Sequence, residues 1–134
     1  MSPIELLKKQ IEIIKRLIRL YQLLIAIEKN KPAPPLEEIK NCIKETAKKY
    51  GISEKLALAV AQAESNFDPF AINFNDTDSI DRGLYQWNDK WHPEVTDEMA
   101  FNYKISTELF CKAVREGNLY WWNSLRHIWS KLIS

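Results

Sequence analysis

Apolar residues in the first quarter of the chain recur at helical spacing. Ile4, Leu7, Ile11, Ile14, Ile18, Tyr21 and Ile25 step by three and four without a break, which is the seam of a heptad helix. Leu6, Ile13, Leu20 and Ile27 form a second apolar row, and Leu17 and Leu24 a third. The pattern predicts one long amphipathic helix over residues 4–29, with a stripe wider than a two-stranded seam needs. Lys8, Lys9, Lys15, Arg16 and Arg19 make its polar face basic. Such a helix either packs on its own domain or on a partner helix, or lies on an anionic membrane surface. Left naked it would aggregate, so something covers it.

Pro32, Pro34 and Pro35 then interrupt any helix and favour a stiff spacer. The chain beyond them is patterned as a compact unit. Leu36, Ile39, Ile43, Ala47 and Tyr50 share a helical face between Pro35 and Gly51. Ser53 is placed to cap a second helix through Leu56, Ala57, Val60 and Ala63, ending near Glu64. Between Phe70 and Trp87 the helical period stops. Asn, Asp, Thr and Ser cluster at 73–81, between short runs suited to a small hairpin near 71–87. Helical spacing returns from Asn102 to Arg115, stopped by Gly117, and a last helix places Trp122, Leu125, Trp129 and Leu132 on one face. The expected organisation is an amphipathic helix at 1–30, a proline-rich linker at 31–35, and a domain at 36–134. The fold class is mostly α (α+β), a helical domain with a small β hairpin.

Composition narrows the function. The chain of 134 residues carries a formal charge of +1, so it lacks the electrostatic footprint of a nucleic-acid binder. No apolar run approaches the roughly 20 residues that span a bilayer. Met1-Ser2-Pro3-Ile4-Glu5 does not read as a signal peptide. Cys42 and Cys111 are too few for a disulfide scaffold or a four-cysteine zinc site, and whether they form one bridge or stay as thiols is open. His92 and His127 are far apart in sequence. Asp76, Asp78 and Asp81 lack the glycine and terminal glutamate of a calcium-binding EF-hand loop. No metal or cofactor is expected. Five Trp are many for this length, and indoles line pockets for ring-shaped ligands as well as cores.

The chemistry concentrates between Glu64 and His92. Glu64 falls at the end of an apolar helix, after Ala57, Val60, Ala61 and Ala63. The negative end of a helix and apolar surroundings both disfavour an anion, and a carboxyl group that keeps its proton can act as a general acid. Asp81, by contrast, lies in a polar segment with Asn73, Asn75, Thr77 and Ser79, surroundings that suit an anion. Two carboxylates in contrasting environments are what glycoside hydrolysis uses.

Glu64-Ser65-Asn66-Phe67, followed by Ala71, Asn73, Asn75, Ser79, Asp81, Gly83, Gln86, Asn88 and Trp91, resembles the catalytic stretch of the C-type animal lysozymes without a gap. Gly83-Leu84-Tyr85-Gln86 is also similar to the Gly-Leu-Met-Gln motif of bacterial lytic transglycosylases, whose catalytic glutamate is likewise followed by serine. Both belong to a lysozyme-like superfamily that cleaves peptidoglycan between N-acetylmuramic acid and N-acetylglucosamine. Lysozyme is the type case of two carboxylates tuned apart, so these roles are borrowed from it.

The resemblance implies Glu64 as general acid and Asp81 as the second carboxylate, with Asp76 and Asp78 as nearby alternatives. It implies Asn75 and Asn88 as cleft residues near the cleaved bond or the acetamido group, Gln86 as a glutamine beneath the cleft, and Trp91 as a platform for a sugar face. Trp122 or Trp121 would border the cleft further on. Ser65 would orient Glu64 or the nearby backbone. The partner implied is a peptidoglycan strand, met outside the cytoplasm in the cell envelope or reached as a phage-delivered lysin.

Departures are equally clear. The four disulfides of the animal enzymes have no counterpart, His92 stands where that family has a second sugar-facing tryptophan, Trp87 replaces an isoleucine, and the helix before residue 36 is extra. They fit a bacterial or phage member of the superfamily better. Asp81, at the lysozyme spacing, favours a muramidase that hydrolyses the β-1,4 bond; the alternatives are a lytic transglycosylase that forms anhydro-muropeptides and a non-catalytic glycan-binding or assembly module.

Overall fold

The computed structural model describes residues 1–125. Helix α1 spans Pro3–Lys29, α2 Leu36–Tyr50, α3 Glu54–Ser65, α4 Asp97–Ala100 and α5 Tyr103–Arg115. The caps follow from the sequence. Ser2 accepts from the Glu5 N–H, Ser53 from Leu56 and Asn102 from Ile105, each satisfying a first-turn donor. At the other end of α2, Gly51 turns the chain with φ +70°.

Helices α2, α3 and α5 enclose one core. Ile39 and Ile43 of α2, Leu56 and Val60 of α3, and Phe110 and Cys111 of α5 are buried together. Each large aliphatic or aromatic side chain there contributes about 1.5–3 kcal/mol by leaving water. The loop after α3 threads its own residues into this core. Tyr85 stacks on Phe110 with ring centres 4.1 Å apart, and its hydroxyl donates to the Ala57 carbonyl at 2.7 Å. That bond satisfies a phenol otherwise sealed from solvent, whose burial pushes its pKa well above the ordinary value.

The irregular region holds three strands where the pattern predicts a hairpin. Strands β1 (Ile72–Phe74), β2 (Ile80–Arg82) and β3 (Trp87–Asn88) form an antiparallel sheet in that order. Asn73 pairs with Asp81, and Asp81 pairs in turn with Asn88. Gly83 makes the tight return from β2. It has φ +79°, and a Cβ there would lie 1.9 Å from the Ala100 carbonyl oxygen. No residue with a side chain fits that approach.

Only part of the apolar surface of α1 meets its own domain. Leu23, Ala26 and Ile27 are the buried residues, packed with Ile80 and Phe101. The heptad seam faces away from the domain, its members from Ile4 to Ile25 being 41–66% exposed. A polar clamp reinforces the attachment. Arg19 pairs with both Asp97 and Asp89, and the buried Arg82 donates to Asp97 at 2.9 Å and to the Trp87 carbonyl at 3.0 Å. Asp89 also accepts from the Ile80 N–H at 2.8 Å. One helix, the sheet and α4 therefore share a single ion cluster.

After α5, Gly117 reverses the chain with φ +89°. Leu119–Leu125 is a 3₁₀ segment broken at Trp122 (φ −104°, ψ 52°), not the start of a regular helix. The Trp122 indole N–H reaches the Tyr85 carbonyl at 2.9 Å. Trp129 and Leu132, expected on the same helical face, lie outside the described residues, as does the rest of 126–134. Cys42 and Cys111 are free thiols, which closes the question of a bridge between them.

Candidate active site

Glu64 is the penultimate residue of α3. The helix ends because Asn66 and Phe67 both take positive φ, 53° and 62°, which swings the chain toward the sheet. Ser65 fixes that junction. Its hydroxyl lies 2.8 Å from the Leu84 carbonyl oxygen and 3.1 Å from that of Ala61. It thus holds the backbone beside Glu64, the role expected for it. Glu64 is half-buried, between solvent and core.

Asp81 sits at the centre of the sheet, between two carboxamides. Asn75 Nδ2 donates to its Oδ2 at 3.0 Å and Asn88 Nδ2 to its Oδ1 at 2.9 Å. The same two amides meet Ser79 Oγ at 3.1 and 2.9 Å, and Thr77 reaches that hydroxyl at 3.1 Å. Ser79 is only 2% exposed, so it acts as a buried hub that orients the amides. Asp76 and Asp78, the alternatives on sequence, lie in the β1–β2 turn and border a different cavity.

Gln86 lines the groove and ties the turn after β2 to β1. It adopts φ 56°, and its Nε2 donates to the carbonyls of Gly83 (2.9 Å) and Ala71 (3.3 Å). Its Oε1 accepts from Asn73 at 2.6 Å. Both ends of the amide are thereby committed to holding the turn after β2 against β1. Asn88 also acts through its Oδ1, which accepts from the N–H groups of Lys90 and Trp91, each at 3.0 Å. The residue that steadies Asp81 therefore sets the backbone that presents Trp91 as well.

Glu64 and Asp81 line one groove of about 760 Å³, together with Gln86, Asn88, Trp91 and Trp122. Asn75 reaches the groove only through its bond to Asp81. Trp91 stands on the rim with 78% of its surface exposed. Trp122 is 6% exposed and packs edge-on to Trp87, while Trp121 is 41% exposed. Of the two, Trp121 offers the larger face to a ligand. His92 tilts over Trp121 with ring centres 4.6 Å apart and pairs with Glu94 at 3.3 Å. Tyr120 and Glu94 complete the lining and were not singled out on sequence. Tyr120 lies beyond a reversal at Gly117, and Glu94 comes after a proline in a segment without period, so neither carried a signal.

Among the described residues, no Lys or Arg lines this groove. Amides, indoles and carboxylates suit an uncharged, hydroxyl-rich ligand with flat C–H faces. Among the described residues, no three His, Cys, Asp or Glu side chains converge as a metal cage would require.

Residues 44–117, over half the chain, match the family model described as a lysozyme like domain. The chain belongs to that lysozyme-like family. The match runs from within α2 to Gly117, so Glu64 and the sheet fall inside this lysozyme-like domain, while α1 and the tryptophans at 121 and 122 fall outside it. Protein IpgF of Shigella sonnei is 32% identical over 74 residues, which is 55% of this chain and 48% of that protein. Protein IpgF of Shigella flexneri is 31% identical over 74 residues, with the same shares covered. The chain spans about half the length of the curated relatives it matches. No solved structure matches.

Proposed function

We propose that this chain cleaves the β-1,4 glycosidic bond between N-acetylmuramic acid and N-acetylglucosamine in peptidoglycan, with Glu64 as the general acid. The observation that carries the reading is the meeting of Glu64, from the end of α3, and Asp81, from the middle strand, in one groove with an exposed tryptophan on its rim. Glu64 gives its carboxyl proton to the bridging oxygen, the C1–O bond breaks, and the sugar ring takes up positive charge. Asp81, steadied by Asn75 and Asn88, faces that charge, and water completes hydrolysis. Trp91 and Trp121 carry the sugar faces, and Trp122 backs the groove wall. Residues 36–134 form the catalytic unit, acting outside the cytoplasm where peptidoglycan lies.

A lytic transglycosylase is the second reading. It is favoured by the Ser65 bond to Leu84, which joins the serine after the acid to the Gly83-Leu84-Tyr85-Gln86 turn. In that reaction the muramic acid 6-hydroxyl, not water, captures the sugar cation. One experiment separates the outcomes. Purified chain is incubated with peptidoglycan and the muropeptides are analysed by mass spectrometry. Reducing ends show hydrolysis, and anhydro-muramic ends show the transglycosylase. Glu64→Gln lowers either activity by roughly 10²–10⁴-fold. Undiminished cleavage by Glu64→Gln overturns both readings. Binding of chitooligosaccharide with no cleavage by the wild type points to a glycan-binding module instead.

A further inference from the structure

Helix α1 carries two apolar seams that its own domain leaves largely uncovered. The first has isoleucine at 4, 11, 18 and 25, one per heptad, with Leu7 and Ile14 between them. The second runs through Leu6, Ile13, Leu17, Leu20 and Leu24, also in steps of seven, three and four. The domain attaches through Arg19, Leu23, Ala26 and Ile27, on another face. Eleven large apolar side chains from Ile4 to Ile25 are left 41–66% exposed along a helix about 40 Å long. That exceeds the few hundred Å² of apolar patch usual for a monomer and reaches the order of a standard interface, roughly 800 Å² per partner.

We propose that α1 gathers copies of this same chain into a closed parallel bundle of three or more helices. Three observations choose this occupant. The isoleucine repeat is strictly seven over three successive intervals, which a supercoiling helical partner requires and a flat lipid surface does not. Two seams side by side need two neighbours, and a two-stranded coil leaves one of them wet. Residues 3–29 contain no Trp or Phe, the residues that anchor interfacial helices, although the chain has five of each.

The domain's placement offers a neighbouring copy a seat beside the second seam. Ile13, Leu17 and Leu20 of the second seam border a trough of about 1090 Å³ with Phe74 of β1, itself exposed. The first seam of the next copy seats in that trough. Repeated round an axis with a rotation that closes, such a head-to-tail contact makes a ring with all helices parallel and the domains outside. Lys15 and Arg16 line the same trough as Asp76 and Asp78, so part of the helix's basic charge faces acids of its own fold.

Sedimentation equilibrium of the full chain tests the proposal. The expected mass is at least three times the 15.7 kDa of one chain, independent of concentration in the micromolar range. Ile18→Asp and Leu17→Asp, at exposed positions in the two seams, each lower it to a monomer or dimer with the domain's thermal unfolding retained. A monomeric or dimeric wild type overturns the proposal, as does open-ended aggregation. Vesicles of phosphatidylglycerol supply the other arm: a chain monomeric in solution that floats with them assigns the face to lipid instead. A mass unchanged in both variants also overturns it, and if a variant unfolds, the wild-type mass decides alone.

Discussion

The Ser65 hydroxyl lies 2.8 Å from the Leu84 carbonyl oxygen, so the last turn of α3 and the turn between β2 and β3 move as one piece. Glu64 rides on the first and Gln86 on the second. Ser65→Ala leaves the Leu84 acceptor without this partner. The expected loss is about 1–2 kcal/mol, read as a lower midpoint in urea. If the bond positions Glu64, turnover falls more than the midpoint explains, with KM little changed. A fall in stability with full turnover in the folded fraction limits Ser65 to a structural role.

Asn88 joins three things at once: Asp81, Ser79 and the backbone that carries Trp91. Asn88→Ala is therefore expected to act on both sides of the groove. A displacement of about 1 Å in a reacting group costs on the order of 10²-fold in rate. Muropeptide release is expected to drop by roughly that factor while KM rises, because Asp81 loses an orienting donor and Trp91 its turn. Intrinsic tryptophan fluorescence during titration with chitooligosaccharide checks the binding half of the claim.

The ion cluster under the sheet makes stability depend on acid. Burial pushes the Asp97 carboxyl up, but hydrogen bonds and charge from Arg19 and Arg82 outweigh it and hold it below the ordinary 3.8. A lowered folded value means this contribution is present in full above the unfolded value and fades as pH falls through the folded one. The thermal midpoint is expected to decline as pH drops below 3.8. Arg19→Met lowers stability at neutral pH by about 1.5–3 kcal/mol for charge-assisted bonds, seen as a lower thermal midpoint, and flattens the acid decline. An unchanged acid slope in Arg19→Met refutes this link between α1 and the domain.

The two cysteines are expected to behave as inert core thiols. Burial first, then the neighbouring Cys42 and Glu108, push Cys111 up to about 12. Cys42, half-buried, is raised by burial against a bond with Thr46 that works the other way. A thiol reacts as its thiolate, so little reagent is consumed at neutral pH. Thiol titration of the native chain is expected to give slow reaction at Cys42 and none at Cys111, with both reacting in denaturant. Rapid stoichiometric labelling of Cys111 in the native state contradicts the packing described.

The helices were legible because period and caps are local. Ile39, Ile43 and Ala47 repeat at helical spacing, and Ser53 and Asn102 stand where first-turn donors need an acceptor. The sheet was legible only as a polar interruption. Strand β3 is two residues long and exists because Asn88 pairs with Asp81, a contact that no run of residues announces. Helix α4, four residues long, is too short to show a period.

In the candidate site, the resemblance of one ungapped segment to the lysozymes pointed to Glu64, Asp81, Gln86, Asn88 and Trp91. Glu94 and Tyr120 join them only through folding, since the chain must reverse at Gly117 to bring Tyr120 back to the groove.

Helix α1 draws the same division. Its length, charge and twin seams are written in the order of its residues, because side-chain direction along a helix is set directly by position. Which face meets the domain is not. Arg19 finds Asp97 at a separation of 78 residues, and Leu23, Ala26 and Ile27 find Ile80 and Phe101. Those meetings depend on where the rest of the backbone has gone, so tertiary packing turned the most apolar stripe outward.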